Sequence, residues 1–87
     1  MEIIFLPHAL KRISERRINK DLVIDTLQNP DQLIHEEDKI IAHKRYFDKA
    51  KTKEYLLRVI FEKKGKKKLV ISVYRTSKIY KYWRRKE

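Results

Sequence analysis

The stretch Tyr55-Leu56-Leu57-Arg58-Val59-Ile60-Phe61 constrains this chain more than any other. Side chains alternate between the two faces of a strand, and here both faces are apolar apart from one position. Such a run suits a central strand covered on both sides. Arg58 breaks one of those faces, between Leu56 and Ile60. An unpaired buried charge is costly, so this arginine needs either a carboxylate partner from elsewhere in the fold or an anion met in a cleft. Both readings stay open on the residues alone.

Around this strand the other elements can be read in order. Ile3, Ile4 and Phe5 suit a short strand. Pro7 fits the first turn of a helix, where its missing N–H costs nothing. Ala9, Leu10, Ile13 and Ile18 give that helix an apolar stripe, and Arg16 and Arg17 stand near its C-terminal end. Asn19 is placed to cap a second helix, with Asp21 in its first turn and Leu22, Val23 and Leu27 inward; Asn29-Pro30 ends it. Strands are then expected at roughly 31–35, 40–47, 54–62 and 68–75, with the only glycine, Gly65, turning the last hairpin. The expectation is one α+β domain over 1–87, with two N-terminal helices packed on a four-stranded, mainly antiparallel sheet.

Hydrophobic residues make up 41% of the chain, enough for a core, while 40% are charged and must coat the surface. Absence of cysteine excludes disulfides, thiolate zinc sites and a cysteine nucleophile. With no signal-like segment and no apolar run near membrane-spanning length, a cytoplasmic protein that does not engage a membrane is expected. The net charge of +11 points to polyanions as partners, nucleic acid first and an acidic protein second.

His8 and Arg12 are spaced to share one face of the first helix, and Arg16 continues the line; a solvated polar face has the same pattern. His43 alternates with Ile41 and Arg45 and reads as a surface histidine. No grouping has metal-ligand spacing and there is no glycine-rich phosphate loop, so no cofactor is expected and any catalysis should proceed without a metal. Ser72, Tyr74 and Thr76 share one face of the last strand and lead into Arg75, Lys78, Tyr80, Lys81 and Tyr82.

Several of these pieces carry a resemblance. "HALKRISERRI" at 8–18, "NP" at 29–30, "HKRYF" at 43–47, "LRVIFE" at 57–62 and "VISVYRTSKIYKYW" at 70–83 resemble, in order, a family of small proteins in the RelE/ParE toxin superfamily. That family reads H-A-x-x-R-x-x-x-R-G-I, N-P, R-Y, L-R-V and a T-V-Y strand. His8, Arg12 and Arg16 match its helical motif and Arg58 its central strand. Ser72 stands where threonine is usual, and Arg17 replaces a glycine. The resemblance implies a RelE-like α+β fold, a toxin role opposed by an acidic antitoxin, and ribonuclease activity, although ParE-like members poison a protein target instead.

Metal-free RNA cleavage needs a base for the 2′-hydroxyl, a cation for the phosphate and an acid for the 5′-oxygen. On that scheme His8 is the general acid or base, and Arg12 and Arg58 hold the phosphate. Ser72 and Tyr74 orient the attacking group, while Arg16, Arg45, Arg75, Lys78 and Tyr82 track the strand and its bases. The RNA would be single-stranded or presented on a larger assembly such as the ribosome. A non-catalytic nucleic-acid-binding module needs the same basic face without His8. The single-site scheme requires His8, Arg12, Arg58 and Tyr74 to converge on one pocket.

Overall fold

A computed structural model describes residues 2–84. The chain opens with β1 (Glu2–Phe5) and passes through Pro7, at the N-terminal position of α1 (Pro7–Glu15). Ala9 and Ile13 bury the inner side of α1, whereas Leu10 remains 44% exposed, outside the stripe expected for it. The helix ends in a tight reversal: Arg17 adopts φ 52°, and the N–H of Ile18 donates to the carbonyl of Ile13 at 3.0 Å. This six-to-one bond turns Ile18 back into the core, a stop that usually relies on glycine. α2 (Lys20–Gln28) starts where Asn19 Oδ1 accepts the N–H of Asp21 at 2.8 Å, and it buries Val23, Thr26 and Leu27.

Four strands follow: β2 (Gln32–Glu36), β3 (Lys39–Asp48), β4 (Lys53–Lys64) and β5 (Lys67–Thr76). The short α3 (Ile79–Tyr82) comes last. The sheet order is β1-β5-β4-β3-β2, with β1 parallel to β5 and every other pair antiparallel. The expected four-stranded, mainly antiparallel sheet with two helices is therefore corrected to a five-stranded mixed sheet with three short helices. Strands hold 49% of the described residues and helices 27%, so the fold is mostly sheet.

The physical reason lies at the two ends of the chain. The outer edge of β5 would leave its main-chain groups unpaired. The four residues of β1 satisfy it, and Leu6 N–H extends the pairing to the carbonyl of Val70 at 3.0 Å. The path β1–α1–α2–β2 then carries the chain from one sheet edge to the other across a single face. On that face Ala9, Ile13, Ile18, Val23 and Leu27 meet Ala42, Leu57, Val59, Phe61, Val70 and Val73, forming the main core. β4 lies at the centre of the sheet order, in keeping with its two apolar faces. Ile34, Ile41, Leu56 and Ile79 are also buried but stand outside that cluster, and the three strand residues among them point to the opposite face. No helix among the described residues is long and apolar enough to cross a membrane.

Candidate nucleic-acid interface

The strand register builds a polar row across the face opposite α1 and α2. Gln32 on β2 pairs with His43 on β3, His43 with Arg58 on β4, and Arg58 with Tyr74 on β5. On one side of this row run Ile34, Ile41, Ile60 and Ser72, and on the other Arg45, Leu56 and Thr76. Four strands thus bring side chains of one face together that lie far apart in sequence.

His43 is fully buried, a correction to its reading as a surface histidine. The sequence alternation places it beside Ile41 and Arg45 but says nothing of what covers it. The cover is the C-terminal segment: Trp83 stacks on the imidazole, with ring centroids 6.2 Å apart. Arg58 Nε donates to His43 Nε2 at 3.1 Å. An arginine nitrogen can only donate, so His43 Nε2 must be bare and Nδ1 must carry the proton. Nδ1–H then donates to Gln32 Oε1 at 3.1 Å. Burial first, and then the charges of Arg58 and Arg84, push the histidine pKa down to about 4. His43 is therefore a neutral acceptor with both nitrogens engaged.

Gln32 is held in turn by the far end of the chain. Its Oε1 also accepts the main-chain N–H of Arg84 at 3.1 Å, 52 residues away in sequence, and its Nε2 donates to the Arg84 carbonyl. This double contact straps the segment after α3 across the sheet to β2, an edge strand. A groove of about 660 Å³ follows that edge, bounded by Pro30, Leu33, His35 and Arg84. It flanks the strap and is not lined by Arg58.

Arg58 is half-buried, and burial lowers its pKa. Its guanidinium carbon lies 4.2 Å from the centroid of the Tyr82 ring, a cation–π contact. Tyr82 meets Tyr74 edge-on at 5.8 Å. Among the described residues Arg58 forms no ion pair. Only its Nε takes part in a hydrogen bond among them. Among the described residues no buried side-chain nitrogen or oxygen lacks a partner and none accepts from the two terminal nitrogens of Arg58, which leaves these open to solvent there. The arginine is fixed along its stem and open at its fork.

The remaining expected residues divide between the two faces. Ser72, Tyr74 and Tyr82 lie on the side of Arg58. Arg45 is there too, but it is paired with Glu54 at 2.9 Å and lies 5.5 Å from the Tyr80 ring and 5.2 Å from Trp83. Lys78 is exposed just before α3, its N–H donating to Thr76 Oγ1 at 3.0 Å. Arg75 points to the helix side of the sheet, beside Tyr46 and 5.2 Å from the Tyr55 ring.

His8, Arg12 and Arg16 lie on α1. His8 and Arg16 are exposed, and Arg12 approaches Glu15 at 3.8 Å. Because Ala9 and Ile13 draw α1 onto the face of Leu57 and Val59, the sheet stands between His8 and Arg58. The expected convergence of His8, Arg12, Arg58 and Tyr74 on one pocket is not formed. Arg58 and Tyr74 meet; His8 and Arg12 are on the other side. Gln32 and His43, which complete the row, and Trp83, which covers it, were not expected as site residues, although the pieces at 43–47 and 70–83 begin and end on His43 and Trp83. Only the apolar alternation around His43 hinted at burial.

Neither a curated protein nor a solved structure matches this chain. A family described as a domain of unknown function, DUF4258, matches residues 5–75, from the end of β1 to Arg75 and short of α3. Since that match spans most of the chain, the protein belongs to the DUF4258 family.

Proposed function

We propose that the protein binds single-stranded RNA on the α3 side of its sheet, with Arg58 as the phosphate ligand, and cleaves it without a metal as the toxin of a toxin–antitoxin pair. The observation that carries this reading is the open fork of Arg58, held at its Nε by His43 and stacked on Tyr82. A guanidinium presents two parallel N–H groups that match two phosphate oxygens, and a pre-fixed one loses little freedom on binding. The net charge of +11 draws a polyanion to it and an acidic antitoxin to the same surface. The resemblance to the RelE/ParE superfamily supports the toxin role.

The chemistry would run through the RNA's own 2′-hydroxyl. The 2′-hydroxyl gives its proton to solvent water as its oxygen attacks the adjacent phosphorus, the bond to the 5′-oxygen breaks and that oxygen takes up a proton, and the products are a 2′,3′-cyclic phosphate and a 5′-hydroxyl. The added negative charge develops on the non-bridging oxygens, where the Arg58 fork acts. Tyr74, the β5 partner of Arg58, and Tyr82, whose ring Arg58 stacks on, carry hydroxyls on this face, and one of them is the proton donor to the leaving oxygen. His8 has no part in this scheme. Neither does His43 as an acid or base, since its pKa lies at about 4 and both nitrogens are engaged.

That last observation also favours a second reading, an RNA-binding module without cleavage. Incubation of the purified protein with total RNA in EDTA separates the two. New ends bearing 5′-hydroxyls, lost in Arg58→Lys and kept in His8→Ala, are expected. RNA binding that depends on Arg58 without new ends would support the second reading. Binding indifferent to Arg58 would overturn both.

A further inference from the structure

The tip of the β4–β5 hairpin carries an arrangement that folding does not call for. Lys64 stands directly opposite Lys67, and Lys63 directly opposite Lys68. Like charges facing each other across strands are destabilising. Lys63, Lys64, Lys66 and Lys67 are exposed, and none forms an ion pair among the described residues. Glu2, which pairs with Lys67 across the parallel edge, and Glu62, on β4, are the acidic neighbours in the pairing, and neither bridges to a lysine. Lys68 alone is occupied, donating to the carbonyl of Leu27 at 3.0 Å and lying 5.4 Å from the Phe61 ring.

Two structural reasons for such lysines fall short here. Charged residues often guard a sheet edge against pairing with another chain, and β4 does present a free edge at Lys63 and Lys64, because its pairing with β3 stops at Phe61; Lys67, however, is paired on both sides, with Glu2 of β1 and Lys64 of β4, and guards no edge. The turn itself needs only Gly65, whose φ of 61° is the conformation glycine accommodates. What offsets four free lysines is an external anion.

We infer that this hairpin tip is a second polyanion site, which grips the sugar–phosphate backbone of an RNA strand beyond the stretch held at Arg58. The identity of the polyanion rests on the RNA reading above; the uncompensated lysine pairs stand apart from it. Lys64 and Lys67 point to the same face as Arg58, since Arg58, Ile60, Glu62 and Lys64 alternate with the core residues Val59 and Phe61. Six residues of strand separate Lys64 from Arg58, roughly 20 Å, so a long strand reaches both sites and a very short one only the first. Lysine ammoniums are point charges with no fork, so the contact is blind to sequence and sensitive to salt. An anionic membrane is the less suited partner. Among the described residues the exposed large apolar ones are Leu10, Leu33, Phe47 and Tyr80, and none is on this hairpin to enter lipid.

The test compares wild type with Lys64→Gln/Lys67→Gln and with Arg58→Lys, using a trinucleotide and a dodecanucleotide of single-stranded RNA. In the lysine variant, dodecanucleotide affinity should fall roughly tenfold at low salt, and the slope of log affinity against log salt should flatten by about 1.4, two contacts' worth. Trinucleotide binding should be unchanged, and the melting temperature should hold or rise because a repulsion is removed. A second variant, Lys64→Glu, changes the local charge by the same two units and sets a carboxylate opposite Lys67, so it should be at least as stable and bind the dodecanucleotide about as weakly. Unchanged dodecanucleotide affinity and slope in both variants would overturn the inference. So would tighter binding to vesicles of anionic phospholipid than to the dodecanucleotide, which would make the tip a membrane contact. Loss that follows the lysines but not Arg58 would leave this site standing and sink the reading of Arg58; the reverse pattern would do the opposite.

Discussion

The two faces of the sheet are built by opposite rules. The face under α1 and α2 is closed by aliphatic side chains from nine-residue helices and strands, with Ala9, Val23, Ala42, Leu57, Val59 and Val70 fully buried. The other face is covered by one turn of helix and the residues after it, and it encloses an imidazole and a half-buried guanidinium. A sheet selected for stability alone would place aliphatic residues at 43 and 58, since replacing both partners of a buried hydrogen bond by well-packed hydrophobes is often neutral or stabilising. The polar row is thus the part of this fold that stability does not explain. What one face gains in core, the other gives to a fixed, solvent-facing arginine.

The sharpest contrast lies between two neighbours on β4, both fully buried: Leu57 on the helix face and Leu56 on the other. Leu57→Ala should cost about 3–5 kcal/mol, because the helices cannot collapse into the cavity. Leu56→Ala should cost nearer about 2 kcal/mol, because a cover of one helical turn relaxes more easily. Denaturant unfolding of both variants measures this, and equal losses would erase the distinction between a rigid face and an adaptable one.

Acid should attack the polar face first. His43 has an ordinary value of 6.5 and a folded value of about 4, so below 6.5 the unfolded chain takes up the proton that the folded chain resists. The stability linked to this group is fully present above pH 6.5 and is lost as pH falls through about 4, on the order of 3 kcal/mol in all. In His43→Gln, which keeps an acceptor for Arg58 but cannot titrate, the slope of unfolding free energy between pH 6.5 and 4 should flatten. An unchanged slope would mean that His43 is not the buried neutral group described.

Next comes Arg58→Lys. The fold and melting temperature should change little, because the main core is on the other face. RNA cleavage should fall on the order of 100-fold, the usual loss when a fixed transition-state donor is removed. His8→Ala should leave that rate unchanged. The smallest effect is on the helix side: Arg17→Gly should stabilise by about 1 kcal/mol, since the left-handed backbone at φ 52° disfavours any residue with a Cβ. A lower melting temperature in this variant would show that the Arg17 side chain contributes more than its backbone strain costs.

Much of the helix-covered face was legible from periodicity, because its residues repeat with the spacing of the elements that carry them. Ile13, Val23, Leu57 and Val59 point inward for reasons a short window reveals. Arg58 was legible too, as the one charge in an apolar run. The parallel pairing of β1 was not, since four residues carry little pattern and their partner is at the far end of the chain. His43 was misread for a similar reason: Gln32, Trp83 and Arg84, which bury and orient it, come from β2 and from beyond α3. The helical spacing of His8, Arg12 and Arg16 correctly puts them on one helix, but spacing cannot say which side of the sheet that helix covers.

The central claim is that RNA meets the α3 side of the sheet at Arg58 and not the α1 side at His8. Protein labelled with nitrogen-15 at its arginine side chains, titrated with a short single-stranded RNA, tests it directly. The account predicts that the Arg58 Nε and terminal signals shift and sharpen as its fork closes on a phosphate, while Arg12 and Arg16 stay in place. Shifts at Arg12 and Arg16 with Arg58 unmoved would contradict it.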